Sequence, residues 1–130
     1  MPALLVVEDD AAILKLAQSA LQSAGHETMP ASSVAEAQAI IHSEQTVDLV
    51  FTDIALGADD EGGVTVGQST GRLRSGTPVL YTSGRPITDD MRALFVNPHG
   101  FLPKPYRPSL LLTAISVLLG TGRRKGGSRQ

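Results

Sequence analysis

The sequence predicts an α/β protein: a five-stranded parallel, doubly wound sheet with helices on both faces. Three observations predict it. Short apolar runs such as Ala3-Leu4-Leu5-Val6-Val7 are continuous rather than alternating, as strands covered on both faces require. These runs alternate five times with segments whose apolar residues recur at helical spacing. Glycines and prolines punctuate the joins.

The elements follow in order. After the first strand, Ile13, Leu16, Ala17, Ala20, Leu21 and Ala24 lie at helical spacing, and Gly25 supplies a stop. A weak second strand is expected near residues 26–29. Ser33 and Glu36 read as a capping box that opens a helix through Ile40 and Ile41. Residues 47–52 form a third strand ending at Asp53, and residues 54–63 a polar, glycine-rich loop. Alternation asks for a helix over residues 64–74, although Gly67 and Gly71 weaken it. Residues 78–82 are a fourth strand. Thr88 can cap a helix containing Met91, Leu94 and Phe95 that ends near Asn97, because Pro98 follows. Residues 100–102 make a short fifth strand. Pro108 starts a last helix carrying Leu111, Leu112, Ile115, Leu118 and Leu119, closed by Gly120.

With 130 residues, 42% hydrophobic and 18% charged, the chain has the size and composition of one globular domain. It has no cysteine, which excludes disulfides, thiolate metal sites and thiol nucleophiles. The N-terminal apolar run lacks a basic start and is too short for a signal peptide or membrane span, so a cytoplasmic protein with no membrane segment is expected. Of the 11 basic residues, Arg123, Arg124, Lys125 and Arg129 lie in residues 121–130, a Gly-rich stretch without acids. Residues 1–120 therefore hold 7 basic groups against 13 acidic ones, a formal charge of −6. An acidic globule lacks the clustered cations of a nucleic-acid binder. The expected division is a folded domain over residues 1–120 and a basic, disordered tail over residues 121–130, which reads as a solubilising end or as a short electrostatic contact.

In a doubly wound sheet, ligands bind beyond the carboxyl ends of the strands. Those positions hold Glu8, Asp9 and Asp10 after strand one and Asp53 after strand three. Ser83 and Gly84 follow strand four, and Lys104 and Pro105 follow strand five. Clustered carboxylates raise one another's pKa unless a cation joins them, and Mg²⁺ suits hard oxygen donors. A dinucleotide or phosphate-cradling fold would place glycines after strand one, where this chain has three acids.

These four motifs, each after its proper strand, resemble the response-regulator receiver family of two-component signalling. The resemblance covers residues 3–119 and implies a flavodoxin-like (βα)5 fold. It implies a switch in which Asp53 takes a phosphoryl group from a phosphohistidine of a sensor histidine kinase or histidine phosphotransfer protein. It further implies Mg²⁺ held by Glu8 (through water), Asp9, Asp53 and the carbonyl of Ala55, with Lys104 and the Ser83 hydroxyl on phosphoryl oxygens. Tyr106 falls where the family carries its aromatic switch residue, turning inward as Ser83 moves. Two departures stand out: Gly57 where proline is usual, and Ser83 for the more frequent threonine.

Each residue also has a plainer reading. A strand-end aspartate such as Asp53 is often a turn former. Asp10 reads as a cap for the first helix. Lys104-Pro105 could be a turn with a cis peptide, and Tyr106 simple core packing. His26, His42 and His99 lack metal-ligand spacing and read as surface residues. A phosphatase using Asp53 would need a second carboxylate two residues on as general acid, where Ala55 stands. A degenerate receiver working by contacts alone is opposed by the filled acidic, hydroxyl and lysine positions. The expectation is a signalling module and not a turnover enzyme, with no DNA-binding domain in the chain.

Overall fold

The computed structural model describes the backbone of residues 1–127 and the side chains of residues 1–120. Five strands, β1 (Ala3–Val7), β2 (Glu27–Ala31), β3 (Leu49–Asp53), β4 (Val79–Ser83) and β5 (His99–Pro103), form one parallel sheet in the order β2-β1-β3-β4-β5. Between and after them run α1 (Ala11–Ser23), α2 (Val34–Ile41), α3 (Gly62–Leu73), α4 (Asp89–Arg92) and α5 (Pro108–Gly127). The order reverses between β1 and β3, so the crevice lies above those two strand ends.

The two-residue period of the strands divides the apolar residues between two cores. Leu4, Val6, Leu49, Phe51 and Leu80 face α1 and α5, meeting Ala17, Leu21, Leu111 and Ile115. Leu5, Val7, Val50, Val79 and Tyr81 face the other way, meeting Ala37, Ile41, Val64 and Val66. The strands read as unbroken apolar runs because both of their faces are covered.

The caps follow the residues read for them. Oδ1 of Asp10 accepts from Ala12 and Ile13 N–H at 3.0 and 3.1 Å, and Ser33 Oγ accepts from Glu36 N–H at 3.1 Å. The Glu36 carboxylate reaches back to Ser32 N–H at 2.7 Å, one residue beyond the standard box. Gly25 ends α1 at φ +94°.

Four expectations are corrected. β2 runs from Glu27 through Pro30 to Ala31, Pro30 being tolerated because the strand is an edge. Gly67 and Gly71 do not break α3, because they let it lie directly against its neighbours. A methyl at Gly67 would strike Tyr81, with Cζ at 2.8 Å, and one at Gly71 would meet Val96 Cγ1 at 3.0 Å. The fourth helix stops at Arg92, well short of Asn97. Its chain tightens into i→i−3 bonds, from Leu94 N–H to Met91 O and from Phe95 N–H to Arg92 O. Phe95 is drawn onto Tyr81, ring centroids 3.9 Å apart, and Val96 N–H donates to the Tyr81 hydroxyl at 3.1 Å. Finally, α5 continues past Gly120 to Gly127, since a glycine without positive φ slows a helix but does not end it. The expected disordered tail falls partly on residues 128–130, which lie outside the described residues. Among the described residues no helix is long and apolar enough to cross a membrane.

Candidate functional site

Each predicted strand-end residue is carried by backbone that the sheet holds in register. Glu8 follows β1, its N–H donating to Ala31 O at 3.0 Å. Asp53 is the last residue of β3 and lies opposite Thr82. Ile54 N–H donates to Thr82 O at 2.9 Å, and Gly63 N–H donates to Ile54 O at 2.8 Å, tying α3 to the strand end. Lys104 N–H donates to Ser83 O at 2.9 Å, which fixes where the lysine leaves β5. The Lys104–Pro105 peptide is cis.

These elements bring Glu8, Asp9 and Asp53 together, with one carboxylate oxygen of each inside 4.8 Å of the others. Glu8 and Asp53 are 4% and 6% exposed, whereas Asp9 is exposed at the rim. Lys104 Nζ donates to Glu8 Oε1 and to Asp53 Oδ2, both at 2.7 Å. Asp10 N–H donates to the remaining Glu8 oxygen at 3.1 Å. Three carboxylates against one ammonium leave two formal negative charges, which a divalent cation would cancel. The donor set is all oxygen and mixes buried with accessible groups. It fits a hard cation such as magnesium that keeps part of its water.

The remaining predicted residues sit as follows. The Ser83 hydroxyl donates to Arg85 O at 2.9 Å and accepts from Arg85 N–H at 3.0 Å, so it faces its own loop and not Lys104. Ala55 is half-buried between the buried Ile54 and Leu56. Tyr106 is already half-buried, edge-on to Phe51 at 5.8 Å. Burial, then the negative charge of Glu8, raises its phenol pKa. Asp10 makes its cap bonds, as read. Of the three histidines only His42 is exposed; His99 lies half-buried, edge-on to Phe95 and Tyr81.

Two features escaped the sequence reading. One is the direct Glu8–Lys104 pair, invisible because the two residues are 96 positions apart. The other is a bond from Gly57 N–H to Asp9 Oδ2 at 3.0 Å, for which the glycine at position 57 was the only signal.

Burial pushes the Glu8 carboxyl up to about 7; hydrogen bonds from Lys104 and Asp10 oppose this, and the Asp53 charge adds to it. Burial works to lower the Lys104 pKa, but its hydrogen bonds to Asp53 and Glu8 and their charges raise it overall. A carboxyl whose folded pKa is raised binds its proton more tightly folded than unfolded. Its contribution is therefore fully present below 4.5 and is lost as pH rises toward 7. In chelator, the wild type is expected to lose on the order of 3 kcal/mol through this group across that window. Glu8→Gln should flatten that part of the profile. Equal slopes for the two proteins in denaturant titrations at pH 5 and 7.5 would contradict the assignment.

Comparison with known proteins is consistent with this geometry. The family described as "Response regulator receiver domain" matches residues 4–116. Transcriptional regulatory protein GlrR of Escherichia coli K12 is 33% identical over 117 residues, covering 89% of this chain and 26% of that protein. Transcriptional regulatory protein AruR of Pseudomonas aeruginosa is 30% identical over 124 residues, covering 92% of this chain and 50% of that one. The chain thus spans between a quarter and a half of these relatives. A response regulator receiver protein from Sinorhizobium medicae superposes with a TM-score of 0.85 at 28% identity, covering 93% of this chain and 96% of that one. A CheY-like receiver domain protein from Methanospirillum hungatei, at 24% identity, shares the fold, with a TM-score of 0.86 over 96% and 98% of the two chains.

Proposed function

The chain belongs to the response regulator receiver domain family of two-component systems, and from that premise we propose that it accepts a phosphoryl group on Asp53 and uses it as a conformational signal. The observation that carries the reading is Lys104 bridging Glu8 and Asp53 at 2.7 Å inside the three-carboxylate cluster. The donor is a phosphohistidine on a sensor histidine kinase or phosphotransfer protein.

Lys104 holds Asp53 Oδ2, which leaves Oδ1 free to attack phosphorus. The phosphorus–nitrogen bond breaks, its electron pair goes to the imidazole, and an aspartyl phosphate remains. Lys104 then passes from the Asp53 carboxylate to a phosphoryl oxygen, moving the ammonium to the new charge. Magnesium, held by Glu8, Asp9, Asp53 and the Ala55 carbonyl, would supply neutralisation of the equatorial oxygens as charge spreads over them. Ser83 exchanges its bond to Arg85 O for one to a phosphoryl oxygen, drawing the β4–α4 loop inward. Tyr106, on the neighbouring loop, senses that change of packing. The shift between the two arrangements is limited to the differential free energy of these contacts. The receiver unit is residues 1–120, and its last helix runs on to Gly127 in the basic stretch that follows. The module catalyses its own modification and no turnover of free substrate.

The test is incubation with acetyl phosphate and Mg²⁺ followed by peptide mapping. One phosphoryl group is expected on the peptide containing Asp53, and chelator should prevent it. Modification at another residue, or none in the presence of Mg²⁺, would overturn the reading.

A further inference from the structure

The loop after β3 contains a device that acts on Asp9. Leu56 N–H donates to Asp59 O at 2.9 Å and Asp59 N–H to Leu56 O at 3.0 Å, a two-residue hairpin loop with Gly57 and Ala58 at its tip. Gly57 has φ +61°, and among the described residues no non-glycine residue has positive φ, so only the first tip position is left-handed. The loop is anchored on both sides. Leu56 is 5% exposed in the core, Asp59 O also accepts from Gly62 N–H at 3.3 Å, and Asp59 Oδ1 accepts from Glu61 N–H at 3.0 Å. The Gly57 amide is thereby aimed and held.

Its target is the least restrained carboxylate of the cluster. Glu8 is held by Lys104 and Asp10, and Asp53 by Lys104, whereas the exposed Asp9 is held by the Gly57 N–H on Oδ2. We propose that the Gly57 amide is a positioning group for the divalent cation: it occupies Asp9 Oδ2, fixes the carboxylate across the crevice mouth and presents Oδ1 to the metal. Two requirements meet at this residue, a backbone N–H and tolerance of left-handed φ. Proline fails both; asparagine, which adopts left-handed backbone most readily after glycine, meets both. A Cβ has room there, since nothing lies within 4 Å of one at Gly57. The inference rests on the reading of Asp9 as a metal ligand.

Outer hydrogen bonds that orient a metal ligand typically change affinity about 10–100-fold when removed. In titration calorimetry with MgCl₂, Gly57→Pro is therefore expected to bind Mg²⁺ at least about tenfold more weakly than wild type. Gly57→Asn should restore affinity to within about threefold, a rescue that general damage to the loop would not produce. Hydrogen exchange on the wild type provides a readout that needs no variant: the Gly57 amide should be protected without metal and remain so when Mg²⁺ is added. Equal affinity for wild type and Gly57→Pro, or an amide whose protection vanishes on metal binding, overturns the inference while leaving the metal site standing. Absence of any Mg²⁺ binding by the wild type would instead remove the site reading, and this inference with it.

Discussion

Asp53→Asn is expected to abolish phosphoryl uptake from acetyl phosphate, by at least about a thousandfold, with little change in folding stability. The substitution exchanges one oxygen for an amide nitrogen at the same size, and only the carboxylate has the nucleophilic lone pair and the charge. Lys104 keeps a partner, because Glu8 Oε1 and an amide oxygen in place of Asp53 Oδ2 can both still accept from Nζ. Removing a negative charge from a 6%-exposed position beside Glu8 also relieves repulsion within the cluster. The fold should therefore survive while the chemistry disappears, along with part of the affinity for a divalent cation. Uptake by Asp53→Asn at the wild-type rate, measured by intact mass, would show that the acceptor lies elsewhere.

Gly63→Ala is expected to be the most damaging small substitution near the site. The added methyl would run into the Asp53 carbonyl oxygen, and it would stand 2.7 Å from Ile54 Cα and 2.8 Å from the Asp53 carbonyl carbon. All three are backbone atoms of the Asp53–Ile54 segment, so no rotamer change relieves the contact. Either α3 lifts away, breaking the Gly63 N–H to Ile54 O bond, or Asp53 is displaced from Lys104. Overpacking of this kind costs about 1–3 kcal/mol and more where the obstacle is rigid, a large share of a total near 5–15 kcal/mol. Gly84→Ala is the control: nothing lies within 4 Å of a Cβ at Gly84 and its φ is not positive, so its midpoint should move by less than about 0.5 kcal/mol. If denaturant unfolding gives similar midpoints for both variants, the close approach of α3 to the end of β3 is not a real constraint.

The residues behind these two predictions differ in how legible they were. The placement of Asp53 at a strand end was readable because the strands announce themselves as apolar runs. The strand-end positions of Glu8, Asp9, Ser83 and Lys104 were readable for the same reason, together with the cap role of Asp10. Gly63 was not: it reads as one more loop glycine, and its requirement comes from the backbone of Asp53 and Ile54, ten and nine positions earlier in sequence and directly beneath it in space. Gly67 was actively misleading. Local propensity counts glycine against a helix, but burial of Tyr81 against that gap more than compensates. The short α4 shows the reverse failure, for its apolar spacing promised a longer helix than the Tyr81–Phe95 stack permits.

What the amino-acid order determined by itself was the alternation of strands and helices, the capping residues, and the set of groups delivered to one edge of the sheet. These depend on periodicity and on local hydrogen bonding, which are properties of a few neighbouring residues. Tertiary structure alone decided the partners: Lys104 shared between Glu8 and Asp53, Ser83 turned to Arg85, Tyr106 tucked against Phe51, and Asp9 held by Gly57. Those choices join residues from separate strand ends, and which oxygen meets which donor depends on register and approach distances set by both cores at once.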